Sequence, residues 1–304
     1  MEYAVVVQKL IKHFGKVTAL NGLDLKIPTG TIFGLVGPNG AGKTTTFNIL
    51  CGFVKAHSGS AQILGLPLAN HHQLLGRIGV IPQDSQPYLY RTALDQLIYF
   101  SRLMGYSKTE SRSLALKNLK DVQLEDRSRE KVKNLSHGMR KRFDIAQAFL
   151  GQPELVFLDE PTSGLDPENA FRVRQLISSF RKKATIVYSS HNLAEVEQIC
   201  DEVGIIKSGQ LVRSGSIADI TQSAQYLNIH VTATQVMLDK ILIIPGIKTA
   251  QYLPEQQQIQ ISYDAKISAP ENILTQVLDC LVQQKILIRD IQKGKSLEES
   301  YLNT

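Results

Sequence analysis

Gly37-Pro38-Asn39-Gly40-Ala41-Gly42-Lys43-Thr44, followed by Thr45, is the stretch whose residue types and spacing carry the most chemistry. It fits the phosphate-binding pattern GxxxxGK[ST]. Glycines let the backbone curl until successive N–H groups point inward at phosphate oxygens. The helix that opens there adds the positive end of its dipole to the same spot. Lys43 would reach the β- and γ-phosphates, and the Thr44 hydroxyl would hold Mg²⁺. These parts together predict binding of a nucleoside triphosphate. A second group of acids stands at Asp159 and Glu160, directly after the apolar run Leu155-Val156-Phe157-Leu158. Alternation along a strand end sends the pair different ways, Asp159 toward Mg²⁺ and Glu160 toward the γ-phosphate. A carboxylate in the second position can orient an attacking water or accept its proton.

Four further residues have two readings each. Phe14, beside Gly15, could stack on a base or belong to a core. Gln83, closing a short apolar strand, could touch Mg²⁺ or position a water, or be solvated. Ser136 is placed as a helix N-cap whose hydroxyl and first N–H groups could also meet an anion. His191 follows a buried strand and is either a hydrogen-bonded core histidine or a γ-phosphate contact. The second reading gains weight if its strand neighbours the one that carries the carboxylates.

The elements that must position these residues are legible in outline. Residues 4–10, 23–27 and 31–36 read as short strands, the last entering the phosphate loop, and 45–54 as the helix leaving it. Strands are expected at 61–65 and 77–82, the latter ending on Gln83. From 84 to 150 the pattern turns helical, with a stop at Gly105 and a capping box, Ser107 with Glu110, opening a helix through 119. An unbroken apolar run at 155–158 is expected of a central parallel strand covered on both faces, with ligands beyond its carboxyl end. The turn-rich Pro161 to Pro167 leads to a helix near 170–180 and a strand at 184–188. Beyond about 226 come alternating strands at 227–231 and 258–263. A helix follows with Leu274, Val277, Leu278 and Leu281 on one face, and then a strand at 285–291, together a small α+β domain.

Composition excludes several classes. The 304 residues are 43% hydrophobic and 20% charged, as in a soluble globular protein. A net charge of +6 suits a surface near anionic lipid but is too diffuse to argue nucleic acid, and tryptophan is absent. Cys51, Cys200 and Cys280 lie far apart in apolar settings, as reduced core residues do. The start of the chain lacks the pattern of a signal peptide, and no apolar run approaches the roughly eighteen residues that span a bilayer. The expected location is cytoplasmic, with any membrane role supplied by a partner.

Taken in this order, the pieces resemble the ATP-binding cassette of ABC transporters over about residues 3–220. The resemblance assigns Walker A to Gly37–Thr44, the Q-loop glutamine to Gln83 and Walker B to 155–159. It puts the catalytic glutamate at Glu160, the D-loop at Ser163-Gly164-Leu165-Asp166, the switch histidine at His191 and the base-stacking aromatic at Phe14. The signature LSGGQ is altered to Leu135-Ser136-His137-Gly138-Met139: Ser136 and Gly138 remain, while His137 and Met139 replace glycine and glutamine. A histidine at a position needing positive φ would shift the loop. The fold implied is a P-loop NTPase cassette: a RecA-like α/β core, an antiparallel β subdomain and an α-helical subdomain at about 84–150. A small α+β domain at 223–304 would follow the cassette at 1–222. The function implied is ATP hydrolysis with Mg²⁺, through a head-to-tail homodimer or a pair with a paralogue, energising export through a separate polytopic membrane subunit. That would place the chain peripherally at the inner face of the cell membrane. A soluble ABC ATPase and a low-turnover regulatory module are the alternatives. The ending 296–302 further resembles the tail of ATPase subunits of two-component exporters.

Overall fold

A computed structural model describes residues 2–221, 225–233, 235–265, 267–294 and 297. The chain opens with β1 (Tyr3–Phe14), β2 (Val17–Pro28) and β3 (Ile32–Val36), then α1 (Lys43–Leu50), β4 (Ser58–Ile63), β5 (Leu66–Pro67) and β6 (Ile78–Ile81). Three helices follow: α2 (Ala93–Leu103), α3 (Lys108–Asp121) and α4 (His137–Ala148). Strands and helices then alternate as β7 (Leu155–Asp159), α5 (Pro167–Ser179), β8 (Thr185–Ser190), α6 (Leu193–Ile199), β9 (Glu202–Lys207) and β10 (Gln210–Ser216).

Two sheets organise this part. An antiparallel one has the order β2-β1-β4-β5, and a larger one the order β10-β9-β3-β8-β7-β6. In the larger sheet β9, β3, β8, β7 and β6 run parallel. Every residue of β3, β7 and β8 is buried, as expected for strands covered on both faces. Because these strands are parallel, their carboxyl ends share one edge, and the loops after β3, β6, β7 and β8 meet there. One apolar cluster ties the sheets together. It joins Val7 and Leu25 of the antiparallel sheet to Leu35, Phe157 and Val187 of the parallel one, with Phe47 of α1 between them. The Phe47 and Phe157 rings meet edge to face at 5.5 Å.

The first hairpin is longer than the sequence implies. Beyond the expected 4–10, residues Ile11 to Phe14 extend β1, which pairs with β2 and, on its other side, with β4. A bulge at Lys9, φ 47°, absorbs the mismatch. Pairing on both sides sustains a strand whose own residues alternate too weakly to announce it. The helix after the phosphate loop is shorter than expected and ends at a cap on Cys51. The capping box forms, with Glu110 N–H donating to Ser107 Oγ at 3.3 Å and Ser107 N–H to Glu110 Oε2 at 2.8 Å. The three cysteines are free, and burial pushes the Cys51 thiol up to about 12.

The chain divides into Met1–Ser214 and Gly215–Thr304, a boundary inside β10, earlier than the expected 222/223, which falls at residues outside the described set. The second unit comprises α7 (Ile217–Ile220), β11 (Tyr226–Thr232), α8 (Asp239–Leu242), β12 (Ile247–Leu253), β13 (Gln258–Tyr263), α9 (Pro270–Gln283) and β14 (Leu287–Lys293). Its antiparallel sheet, in the order β12-β13-β11-β14, packs Leu227, Ile229, Ile259 and Ile261 against Ile273, Val277 and Leu281 of α9. Of the tail at 296–302 only Leu297 is described. Among the described residues no helix is long and apolar enough to cross a membrane.

A candidate site for nucleotide binding and hydrolysis

The phosphate loop leaves β3 and closes on α1, whose N-cap is Gly42 at φ 109°. A Cβ there would stand 2.7 Å from the Ala19 carbonyl oxygen and 2.8 Å from Leu20 Cδ2, so only glycine fits. α1 has no capping side chain and no acid in its first turn. Helices α2, α3, α4, α5 and α6 each begin with a side chain that accepts a backbone N–H. The first N–H groups of α1 therefore lack the side-chain capping that α2 to α6 have, which suits an external anion. Lys43 is buried, and its ammonium donates to the carbonyls of Gly37 at 2.7 Å and Pro38 at 3.2 Å. Burial lowers its pKa, while Glu160 and Asp159 nearby oppose that shift.

Strand β8 lies between β3 and β7, so the strand before His191 neighbours both the one that enters the phosphate loop and the one that carries the carboxylates. In register, Asp159 pairs with Ser189 and Val36 with Ser190. Ser189 is fully buried, donates a short hydrogen bond to Asp159 Oδ1, and accepts the Glu160 N–H at 3.0 Å. Burial raises the pKa of Asp159, against the hydrogen bonds from Ser189 and Thr44. Glu160 itself sits at φ 48°, a left-handed backbone unusual for a residue with a Cβ. That turn carries its carboxylate to His191, whose Nδ1 is 3.1 Å from Glu160 Oε1.

Facing these groups is a cleft of about 580 Å³, lined by Lys43, Thr44, Thr45, Gln83, Glu160 and His191, with Asn39, Gly40 and Gly42 on its floor. Thr44 Oγ1 and Gln83 Oε1 stand 3.5 Å apart. With Asp159 behind them they form an all-oxygen donor set, the kind that Mg²⁺ takes. The uncapped helix start, the buried ammonium and these oxygens fit a triphosphate with its metal.

Other expected site residues lie elsewhere. Phe14 is exposed at the hairpin tip; its partner across the turn, Val17, lines the cleft together with Ala19. Ser136 caps α4, accepting the Met139 N–H at 3.2 Å, and Asp166 caps α5, accepting the Asn169 N–H at 3.0 Å. Ser136, Gly138 and Asp166 do not line this cleft. They adjoin one another: a Cβ on Gly138 would meet Asn169 Oδ1 at 2.6 Å, and one on Gly164 would meet His137 Nε2 at 3.4 Å. His137 is the first residue of α4 and has no positive φ, so it imposes no left-handed strain. This position is helical and tolerates a side chain.

The sequence reading missed Ser189, the residue that orders both carboxylates; the Ser189-Ser190 pair before His191 was the available signal. It also missed a buried pair behind the D-loop. Arg174 Nη1 lies 2.8 Å from Glu195 Oε1, while Glu195 Oε2 accepts from Thr162 at 2.7 Å and Tyr188 at 3.0 Å.

Comparison with known proteins agrees with this geometry. A family model described as ABC transporter matches residues 20–163. An uncharacterized ABC transporter ATP-binding protein of Synechocystis is 40% identical over 67% of this chain, which spans 58% of that protein's length. The linearmycin resistance ATP-binding protein LnrL of Bacillus subtilis is 28% identical over 97% of this chain and 96% of its own. The Nod factor export ATP-binding protein I of Paraburkholderia xenovorans is 32% identical over 71% of each chain. Among solved structures, cbiO1 of Clostridium perfringens, described as part of the ABC transporter complex cbiONQ, superposes with a TM-score of 0.67 at 26% identity, covering 73% of this chain and 92% of that one. A dimeric post-hydrolysis cassette bound to ADP and Pi, MJ0796, gives 0.62 at 25% identity over 70% and 98%. With Gly37–Thr44, Asp159, Glu160 and His191 gathered on one sheet edge, this chain belongs to the ABC transporter ATP-binding proteins, the ATPase subunits that energise ABC transporters.

Proposed function

We propose that the cleft binds MgATP and hydrolyses it in a head-to-tail dimer, and that the chain drives export through a separate polytopic membrane subunit. The observation that carries this reading is the convergence of Lys43, Thr44, Gln83, Glu160 and His191 on one cleft. Lys43 and the N–H groups of the phosphate loop hold the β- and γ-phosphates. Thr44, Gln83 and Asp159 would hold Mg²⁺, which neutralises charge building on the phosphate oxygens. Glu160 orients the attacking water and takes its proton, and His191 holds the Glu160 carboxylate while reaching the γ-phosphate. The base would rest on the hairpin tip at Phe14 and Val17.

Ser136, Gly138 and Asp166 do not line this chain's own cleft, which supports their acting on ATP held by a second subunit, either another copy or a paralogue. The dimeric likeness bound to ADP and Pi supports the same arrangement. A membrane partner is supported by the neighbour belonging to a transporter complex. Export is supported by relatives named for Nod factor export and linearmycin resistance. The working location is the inner face of the cell membrane, with no role for nucleic acid.

The test is ATP turnover by the purified chain beside its Glu160→Gln variant, with size exclusion in ATP and Mg²⁺. Turnover in the parent, and an ATP-held dimer without turnover in the variant, is the expected result. Equal turnover in both would remove Glu160 from the mechanism.

A further inference from the structure

Lys12, a half-buried cation near the tip of the first hairpin, has no place in the cleft. It precedes Phe14 by two residues on β1, and alternation puts the two side chains on one face of the strand. Its ammonium donates to the Lys55 carbonyl at 2.8 Å and lies 5.0 Å from the centre of the Phe14 ring. No carboxylate pairs with it among the described residues. A lysine near a hairpin tip ordinarily extends into water, because its stem is flexible and its charge strongly hydrated. This one is held between a backbone carbonyl and a ring.

The strand around Lys12 is anchored on both sides. His57 N–H donates to the Ile11 carbonyl at 2.9 Å, and His13 N–H donates to His57 Nδ1 at 3.2 Å. Residues 11 to 13 are thus tied to the same segment, 55–57, that supplies the acceptor for the ammonium. Phe14 is the opposite case. It is 51% exposed, and the turn that follows it at Gly15 has open space around it. Without the lysine its ring would be free to change rotamer. Neither Lys12 nor Lys55 lines the nucleotide cleft, whereas Val17, across the turn from Phe14, does. Lys55 lines a separate cavity beside Leu10 and Ile49. The ammonium therefore meets the ring from outside the cleft and leaves its other face open to a ligand.

We infer that Lys12 is a positioning residue for the nucleobase: its anchored ammonium holds the Phe14 ring so that a base stacks on the opposite face. The inference rests on the placement of the base at Phe14 given above. A cation over an aromatic face is attracted by the ring quadrupole, and the hydrogen bond to Lys55 fixes where that cation sits. A ring ordered beforehand spares the ligand the cost of ordering it, and its free face suits any base.

The experiment is calorimetric titration of the full chain with MgADP and, as a probe without a base, with magnesium pyrophosphate. Lys12→Met keeps the length of the side chain and removes the charge. It should bind MgADP about 3- to 10-fold more weakly than the parent and pyrophosphate within about twofold of it. Lys12→Arg, which keeps a cation for the ring, should hold MgADP within about twofold of the parent. Combined with Phe14→Leu, Lys12→Met should cost nothing beyond the loss caused by Phe14→Leu alone. If Phe14→Leu itself left MgADP binding unchanged, the placement of the base would fail and the inference with it. If Phe14→Leu weakened MgADP and Lys12→Met did not, the inference alone would be overturned. Equal loss of both ligands in Lys12→Met would make the lysine a structural group and overturn it. Losses that add in the double variant, or an arginine variant as weak as the methionine one, would do the same.

Discussion

His191 Nδ1 and Glu160 Oε1 are 3.1 Å apart, and both residues follow directly on neighbouring parallel strands, β8 and β7. The imidazole is 57% exposed at its side chain and the carboxylate 12%, so the histidine closes the solvent side of the acid. Glu160 reaches it only because its backbone turns to φ 48°, and the N–H bond to Ser189 Oγ holds that turn. Strain of this kind costs about 1–3 kcal/mol and persists where surroundings enforce it.

Ser189→Ala should therefore act through both carboxylates. Loss of its hydroxyl frees the Glu160 N–H and leaves buried Asp159 with Thr44 as its remaining side-chain donor. ATP turnover should fall about 10- to 100-fold with ATP affinity changed far less, a split between kcat and KM that steady-state kinetics will read. His191→Ala should lower kcat more severely, by about 10²–10⁴-fold, the range for loss of a positioned acid–base group.

The signature loop and the D-loop share a contact inside one chain. A methyl group on Gly138 would press on Asn169, whose amide is tied to Asp166 Oδ2 at 2.7 Å. Gly138→Ala should displace that cap and weaken the ATP-held dimer, while melting changes by only about 1–2 kcal/mol. Size exclusion of Glu160→Gln with and without the second change gives the comparison.

Behind the D-loop, Arg174 and Glu195 are 13% and 14% exposed at their side chains. Glu195→Ala strands the guanidinium and frees Thr162 and Tyr188 together, an expected loss of about 3–5 kcal/mol. Replacing the pair by Arg174→Met with Glu195→Leu should recover part of that stability. Thermal unfolding of both variants checks the difference.

Asp144 sets a pH dependence whose sign is fixed. Its folded-state pKa is raised from 3.8 to about 6, so the fold favours the protonated form. Its cost to stability is absent below about pH 4, grows as pH rises toward 6, and is constant above. Asp144→Asn should thus melt higher than the parent at pH 8, by the equivalent of about 1–3 kcal/mol, and the gap should close by pH 4. A gap independent of pH would assign the effect to packing.

Local spacing determined what needs only local geometry. Gly37 to Thr44 specifies a curled loop before a helix because glycines and the start of α1 lie within one short segment. The same holds for the capping box at Ser107 and Glu110, the N-cap at Ser136 and the apolar run of β7. The expectation that Asp159 and Glu160 turn different ways rests on their adjacency at a strand end. What the tertiary structure decided depends on which strands become neighbours, and a crossover of thirty or so residues does not encode that in its spacing. Placing β8 between β3 and β7 puts Ser189 under both carboxylates and His191 beside Glu160. The long hairpin brings Val17 to the nucleotide cleft, and packing of α4 under the loop before α2 buries Asp144 beside Gln96. In the sequence Asp144 is one polar residue on a helix. Its orphaned charge exists only because distant elements close over it.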